Sequence, residues 1–125
     1  MILFLDSAPA RAARVYGWMS PKEREHTIWC SSVKEAMLTL WDYRDSLKYV
    51  MLDHDLGREA YMNTKREDCG MELVRYLEGL VDSTEFDKLK KIKFLIHTHN
   101  SHAGPIMESR MKKIGLTAIW RPFGT

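Results

Sequence analysis

Two short stretches hold most of the residues able to do chemistry. Asp53, His54 and Asp55 follow the apolar run Tyr49 to Leu52, and His97, Thr98, His99 and Asn100 follow the apolar run Ile92 to Ile96. An apolar run that stops abruptly at polar groups is the pattern of a buried strand delivering side chains to its carboxyl end, and Gly57 turns the first of them away. Asp6 after Ile2 to Leu5 and Arg121 after Leu116 to Trp120 repeat the pattern. Adjacent carboxylates repel unless one is protonated or a cation lies between them. Hard oxygen ligands favour Mg²⁺, Mn²⁺ or Ca²⁺. A guanidinium fork suits phosphate, and imidazole can move protons near neutral pH. The candidate metal ligands are therefore Asp6, Asp53 and Asp55, for a divalent cation, with Mg or Mn preferred. The candidate catalytic residues are Asp53, Arg121 and His97, with His54 as the alternative proton carrier. Thr98, Asn100 and Arg121 are the candidate substrate contacts.

Each of these residues also has a plainer reading. Asp and Gly are ordinary turn residues, Asp6 or Ser7 could cap the next helix, and His97 could simply hydrogen-bond a loop. A His-x-His pair alone lacks the third and fourth ligands of a metal site.

The elements that must position these groups alternate. Ile2 to Leu5 predicts a first strand, and Pro9 to about Met19 a helix with proline in its first turn. Ser20 to Glu25 reads as a connection. His26 to Ser31 predicts a second strand centred on Ile28 and Trp29, followed by a helix capped by Ser32 with Glu35 as a capping box. Tyr49 to Leu52 is the third strand. The polar stretch from Arg58 to Cys69 is too long for a tight turn and reads either as a lid or as a disordered excursion. Gly70 opens a helix with Met71, Leu73, Val74, Leu77 and Leu80 at helical spacing. Ile92 to Ile96 is the fourth strand, Pro105 to Ile114 a helix ended by Gly115, and Leu116 to Trp120 the fifth strand. Strand–helix alternation implies a parallel sheet covered on both faces. At this length the expected fold is α/β, a flavodoxin-like doubly wound five-stranded sheet of order 2-1-3-4-5, lacking the last helix. That order puts Asp6 and Asp53 on neighbouring strands, with His97 and Thr98 one strand further and Arg121 beyond.

Composition narrows the functional classes. The chain has 125 residues, 45% of them apolar and 29% charged, as expected for one globular domain spanning 1–125. With 19 bases against 17 acids the net charge is +2, which gives no general argument for nucleic acid or an acidic membrane. Lys88, Lys90, Lys91 and Lys93 accordingly read as a solvated face rather than a basic patch. Cys30 and Cys69 belong to no metal-ligand pair. They read as reduced thiols in a cytoplasmic protein, Cys30 in strand core and Cys69 incidental. No long apolar span predicts a membrane crossing, and no glycine-rich phosphate loop is present.

At the strand ends the sequence resembles response-regulator receiver domains, which carry an acid, a phospho-accepting Asp, a Thr or Ser and a Lys-Pro where this chain has Asp6, Asp53, Thr98 and Arg121-Pro122-Phe123. Gly70-Met71-Glu72-Leu73 resembles the receiver's Gly-x-Glu-Leu helix start. Leu52-Asp53-His54-Asp55-Leu56-Gly57, with His97-Thr98-His99-Asn100 and Gly104, is similar to the receiver-like group predicted to process cyclic phosphates, which reads Leu-Asp-His-Asp-Leu-Gly and His-Ser-x-Asn. The chain departs from ordinary receivers in three ways. Ser7 stands where a second acid is usual, Arg121 replaces Lys, and no final helix follows strand five.

Three readings follow. The first is metal-assisted hydrolysis or processing of a phosphoester, which the resemblance makes a cyclic one, with a nucleotide or an RNA cyclic-phosphate end as ligand. The second, implied by the resemblance, is a phospho-accepting receiver with Asp53 as nucleophile. The third is a non-catalytic module binding a nucleotide or partner in the same crevice.

Overall fold

The computed structural model describes residues 1–57 and 59–122. Arg58, at the start of the long loop, and Phe123, last of the Arg-Pro-Phe triplet, lie outside the described residues. Five parallel strands, β1 (Ile2–Leu5), β2 (Thr27–Cys30), β3 (Tyr49–Leu52), β4 (Lys93–Ile96) and β5 (Thr117–Trp120), form one sheet of order β2-β1-β3-β4-β5. This is the flavodoxin-like doubly wound order expected from the sequence, and among the described residues no helix follows β5.

The register is uniform, so strand partners form rows across the sheet and successive rows face opposite sides. Leu3 aligns with Ile28, Val50 and, through Val50, Phe94 and Ala118; Leu5 aligns with Cys30, Leu52, Ile96 and Trp120. These two rows carry the main core, covered by the helices α3 (Val33–Asp42), α4 (Gly70–Gly79) and α6 (Ala103–Lys113), with the short α5 (Phe86–Leu89) contributing Phe86 and Leu89. The row between them, Trp29, Phe4, Met51, Leu95 and Ile119, faces the other side. There α1 (Pro9–Trp18) lays Ala12 and Val15 over Phe4, with Met19 and Met51 alongside. Ile119 at the far edge remains 43% exposed.

The helix ends follow local chemistry. Ser20 and Glu23 form a reciprocal capping box at α2 (Pro21–Glu25), a helical turn where the sequence suggested only a connection. None of its residues is buried, so it left no apolar stripe to read. Ser32 accepts from Glu35 N at α3, but the Glu35 carboxylate takes the hydroxyls of Ser31 and Ser32, so only half of the expected capping box forms. Helix α6 starts two residues earlier than Pro105 predicted. Proline is tolerated there because first-turn N–H groups have no intrahelical partner.

Two of the lysines in and just after α5 sit among acids. Lys88 pairs with Asp45 and Glu85, and Lys90 with Asp87. Among the described residues no helix is long and apolar enough to cross a membrane.

Candidate active site

The strand ladder continues one residue beyond the ends of β1, β3, β4 and β5. Asp6 N donates to Cys30 O (3.1 Å), Asp53 N to Leu5 O (3.0 Å), His97 N to Leu52 O (2.9 Å) and Arg121 N to Ile96 O (2.8 Å). Asp6, Asp53, His97 and Arg121 therefore form one further row at the carboxyl edge, rooted on the face that carries Phe4 and Met51. The His97 ring confirms the direction by stacking on Phe4, with centroids 5.2 Å apart.

Asp6 is fully buried and fully engaged. Its Oδ2 accepts from Arg11 Nε (2.5 Å) and lies 3.0 Å from His97 Nε2, while Oδ1 accepts from Ala8 N (2.8 Å) and Arg11 Nη2 (2.9 Å). Burial alone would raise this carboxyl, but His97, Arg11 and the Ala8 amide outweigh it and hold it down at about 2. Asp53 has weaker support: Oδ1 accepts from His54 N (2.8 Å) and Oδ2 from Arg11 Nη2 (3.1 Å). Burial, reinforced by the Asp6 charge, pushes its carboxyl above the ordinary range despite His97 and Arg11. Burial and pairing thus shift the two adjacent carboxyls in opposite directions.

Asp6, Asp53 and His97 each offer one ligand atom, all within 4.8 Å of one another, and all three residues are buried. Two carboxylate oxygens and one imidazole nitrogen could together hold a divalent cation, at a place that the Arg11 guanidinium now shares. Asp55 stands outside this cluster. Its Oδ1 accepts from Met62 N (2.9 Å) and Asn100 Nδ2 (3.1 Å) and contacts His54 Nδ1 (2.9 Å), and its Oδ2 accepts from Tyr61 N (2.8 Å). The carboxylate expected as a metal ligand instead fastens the long loop. Arg75 of α4 holds the same loop further on, donating to Thr64 O and Arg66 O.

His54 is buried under that loop, away from the cleft. Burial pushes its imidazole down, but the Cys69 thiol and the Asp55 carboxylate more than offset this and raise it. Burial likewise raises the Cys69 thiol, and His54 with the Met71 and Glu72 amides pulls it below its ordinary value. Cys69 therefore does more than fill space: it is buried at the N-cap of α4, its thiol donates to Arg66 O (3.2 Å), and it interacts with His54. Gly70 beside it donates its N–H to His54 O (2.9 Å). A Cβ there would stand 2.0 Å from Asp53 O, so only glycine lets α4 start this close to the β3 exit.

The second motif is built around Asn100. Its Oδ1 accepts from His102 N (3.0 Å) and Ala103 N (2.9 Å), capping α6, while Nδ2 reaches back to Asp55. Thr98 Oγ1 accepts from Asn100 N (3.1 Å), and Thr98 O accepts from Trp120 Nε1 (2.8 Å). A Cβ on Gly104 would lie 2.4 Å from that indole nitrogen, so Gly104 makes room for the tryptophan that holds Thr98 in place.

A cleft of about 470 Å³ opens over this edge, lined by Ser7, Ala8, Arg11, Asp53, Asp55, Tyr61, Thr98 and His99 among others. Of the residues expected in the site, Asp53, Asp55 and Thr98 line it. Asp6, His97, His54 and Asn100 lie behind its wall, and Arg121 is exposed at the β5 exit outside its lining. Arg11 was not expected, and His99, named within the second motif, was given no role. Arg11 left one legible signal, since a base in the first turn of a helix opposes the helix dipole and asks for a compensating acid.

A parallel sheet of this order, with acids leaving β1 and β3 and a hydroxyl leaving β4, defines a receiver-like domain. The family model of the cyclic-phosphate processing Receiver domain matches residues 1–113, and the chain belongs to that family. Comparison with curated proteins gives no significant match.

Proposed function

We propose that this receiver domain hydrolyses or otherwise processes a small phosphoester, a cyclic or related phosphate such as a nucleotide or an RNA cyclic-phosphate end, with help from Mg²⁺ or Mn²⁺. The observation that carries the reading is the buried Asp6, Asp53 and His97 cluster beside an open cleft, in a chain of the cyclic-phosphate processing family. The three cluster residues would hold the cation, which when bound polarises a phosphoryl oxygen or activates water. Thr98 supplies a hydroxyl to the phosphate, and Arg121 extends its charge toward the outer end of the substrate. Asn100, tied to α6 and Asp55, acts by positioning Thr98. His97, sealed between Asp6 and Phe4, serves the cation rather than the substrate, and the exposed His99 on the cleft wall exchanges a proton with substrate. His54 steadies Asp55 and the loop. The two free, buried thiols fit a reducing compartment such as the cytoplasm.

The test is turnover of 2′,3′- and 3′,5′-cyclic nucleotides and RNA cyclic-phosphate ends with Mg²⁺ or Mn²⁺. Metal-dependent ring opening that falls at least 100-fold in Asp53→Asn is expected. Binding without turnover would sink the enzyme reading in favour of a binding module. One observation favours phosphorylation of Asp53 itself as a second reading, namely that Asp53 lines the cleft whereas Asp6 does not. Intact mass after treatment with a small phosphodonor decides that alternative.

A further inference from the structure

Asp6 has no acceptor direction left for a cation. A carboxylate offers about four lone-pair sites, and Arg11 Nε, Arg11 Nη2, Ala8 N and His97 Nε2 occupy all of them. The same Arg11 Nη2 reaches Asp53 Oδ2 at 3.1 Å. One guanidinium therefore bridges both carboxylates of the cation cluster, on the side that faces the cleft.

We propose that Arg11 is the resident counter-charge of this carboxylate pair, that it gives up its seat when a divalent cation binds, and that its freed guanidinium then anchors the phosphate of the substrate. The proposal rests on the cation reading above and adds an order of binding, cation first and phosphate second. Three features support it. A guanidinium and a divalent cation in contact with the same two oxygens would repel strongly in a buried site. Unlike the carboxylates, the Arg11 side chain is 32% exposed and it already lines the cleft, so its head can turn outward without unpacking α1. Once released, its planar fork meets a phosphate in bidentate geometry, which a lysine at this position would not reproduce. A static ion pair predicts something different, namely a guanidinium whose removal only destabilises the fold.

The experiment is calorimetric titration of Mn²⁺ into wild type, Arg11→Gln and Arg11→Lys. Titration of inorganic phosphate follows, with and without saturating Mn²⁺, and metal-free melting curves establish that each variant is folded. In the wild type, Mn²⁺ should tighten phosphate binding. Arg11→Gln should bind Mn²⁺ at least tenfold more tightly than wild type and, with Mn²⁺ present, phosphate at least tenfold more weakly. Arg11→Lys, whose charge sits on one nitrogen without the planar fork, should fall between the two, and it carries the test if the glutamine variant does not fold. Equal Mn²⁺ affinities in wild type and variants would overturn the exchange while leaving the cation site standing. Unchanged phosphate affinity in Arg11→Gln would overturn the anchoring role. Absence of Mn²⁺ binding in wild type and variants alike would remove the cation reading and the exchange together.

Discussion

His97 Nε2 and Asp6 Oδ2 meet at 3.0 Å across 91 positions of sequence, and both side chains are completely buried. His97→Ala removes that hydrogen bond and opens a cavity beside Phe4, while Asp6 keeps Arg11 and Ala8 N, so it should cost about 3 kcal/mol in urea unfolding. The same contact sets an acid limit. Asp6 titrates at about 2 in the fold against an ordinary 3.8. A depressed carboxyl contributes stability that is complete above its unfolded value and lost as pH falls through its folded one. That contribution, about 2 kcal/mol, should disappear between roughly pH 4 and pH 2. In His97→Ala the acid limb should be shallower, as read from unfolding curves across that range.

Asp53 has the opposite sign. Its carboxyl is raised by burial and by Asp6, so its charge weighs against the native state at neutral pH and is relieved as pH falls through its folded value. In EDTA, Asp53→Asn should therefore raise the melting temperature. Asp6→Asn should instead lower the melting temperature, because it weakens the bonds to Arg11 and His97. Melting curves that shift the same way for both variants would contradict the divergent titrations.

Gly70 and Gly104 test how the two motifs are held. Gly70→Ala drives a methyl against the Asp53 carbonyl, backbone on backbone, and should cost more than about 3 kcal/mol or prevent folding. Gly104→Ala meets a side chain, the Trp120 indole, and should cost about 1–3 kcal/mol. It should also change tryptophan fluorescence, since the indole must leave Thr98 O.

Asp55 holds the long loop through the Tyr61 and Met62 amides. Asp55→Ala should speed hydrogen exchange at those two amides at least tenfold while amides within β3 and β4 stay protected. The Asp55 carboxyl feels burial, which raises it, but His54, Asn100 and the two amides pull it below its ordinary value. The clasp should therefore be complete above about pH 4 and should loosen only as pH falls through that lowered value.

The sheet was legible because each strand is an apolar run closed by a polar residue, and the ladder extends that residue into the site. The order followed from alternation together with the chain's length, for which 2-1-3-4-5 is the common doubly wound solution. Residues whose importance depends on contacts distant in sequence were harder to read. Arg11 lies in a helix whose alanines and arginines look like a solvated surface, and only the packing of α1 over Phe4 brings its head to Asp6 and Asp53. Cys69 looked incidental because nothing in its neighbourhood announces His54, fifteen positions earlier. Asp55 has the residue type of a metal ligand, but the amides that claim it come from a loop whose path the sequence leaves open.

The row of Asp6, Asp53, His97 and Arg121 is also a ruler. Neighbouring strands stand about 4.8 Å apart, so Arg121 is rooted about 10 Å from Asp53 and about 14 Å from Asp6. A phosphate seated over Asp53 lies close to Arg11 and Thr98, whereas Arg121 must lean back across His97 to touch it. A longer substrate, such as an RNA end or a dinucleotide, can span the row with its reacting phosphate over Asp53 and a second phosphate near Arg121. Dependence on Arg121 should therefore grow with substrate length: Arg121→Ala should lower kcat/KM for a cyclic-phosphate-ended oligonucleotide at least tenfold more than for a cyclic mononucleotide.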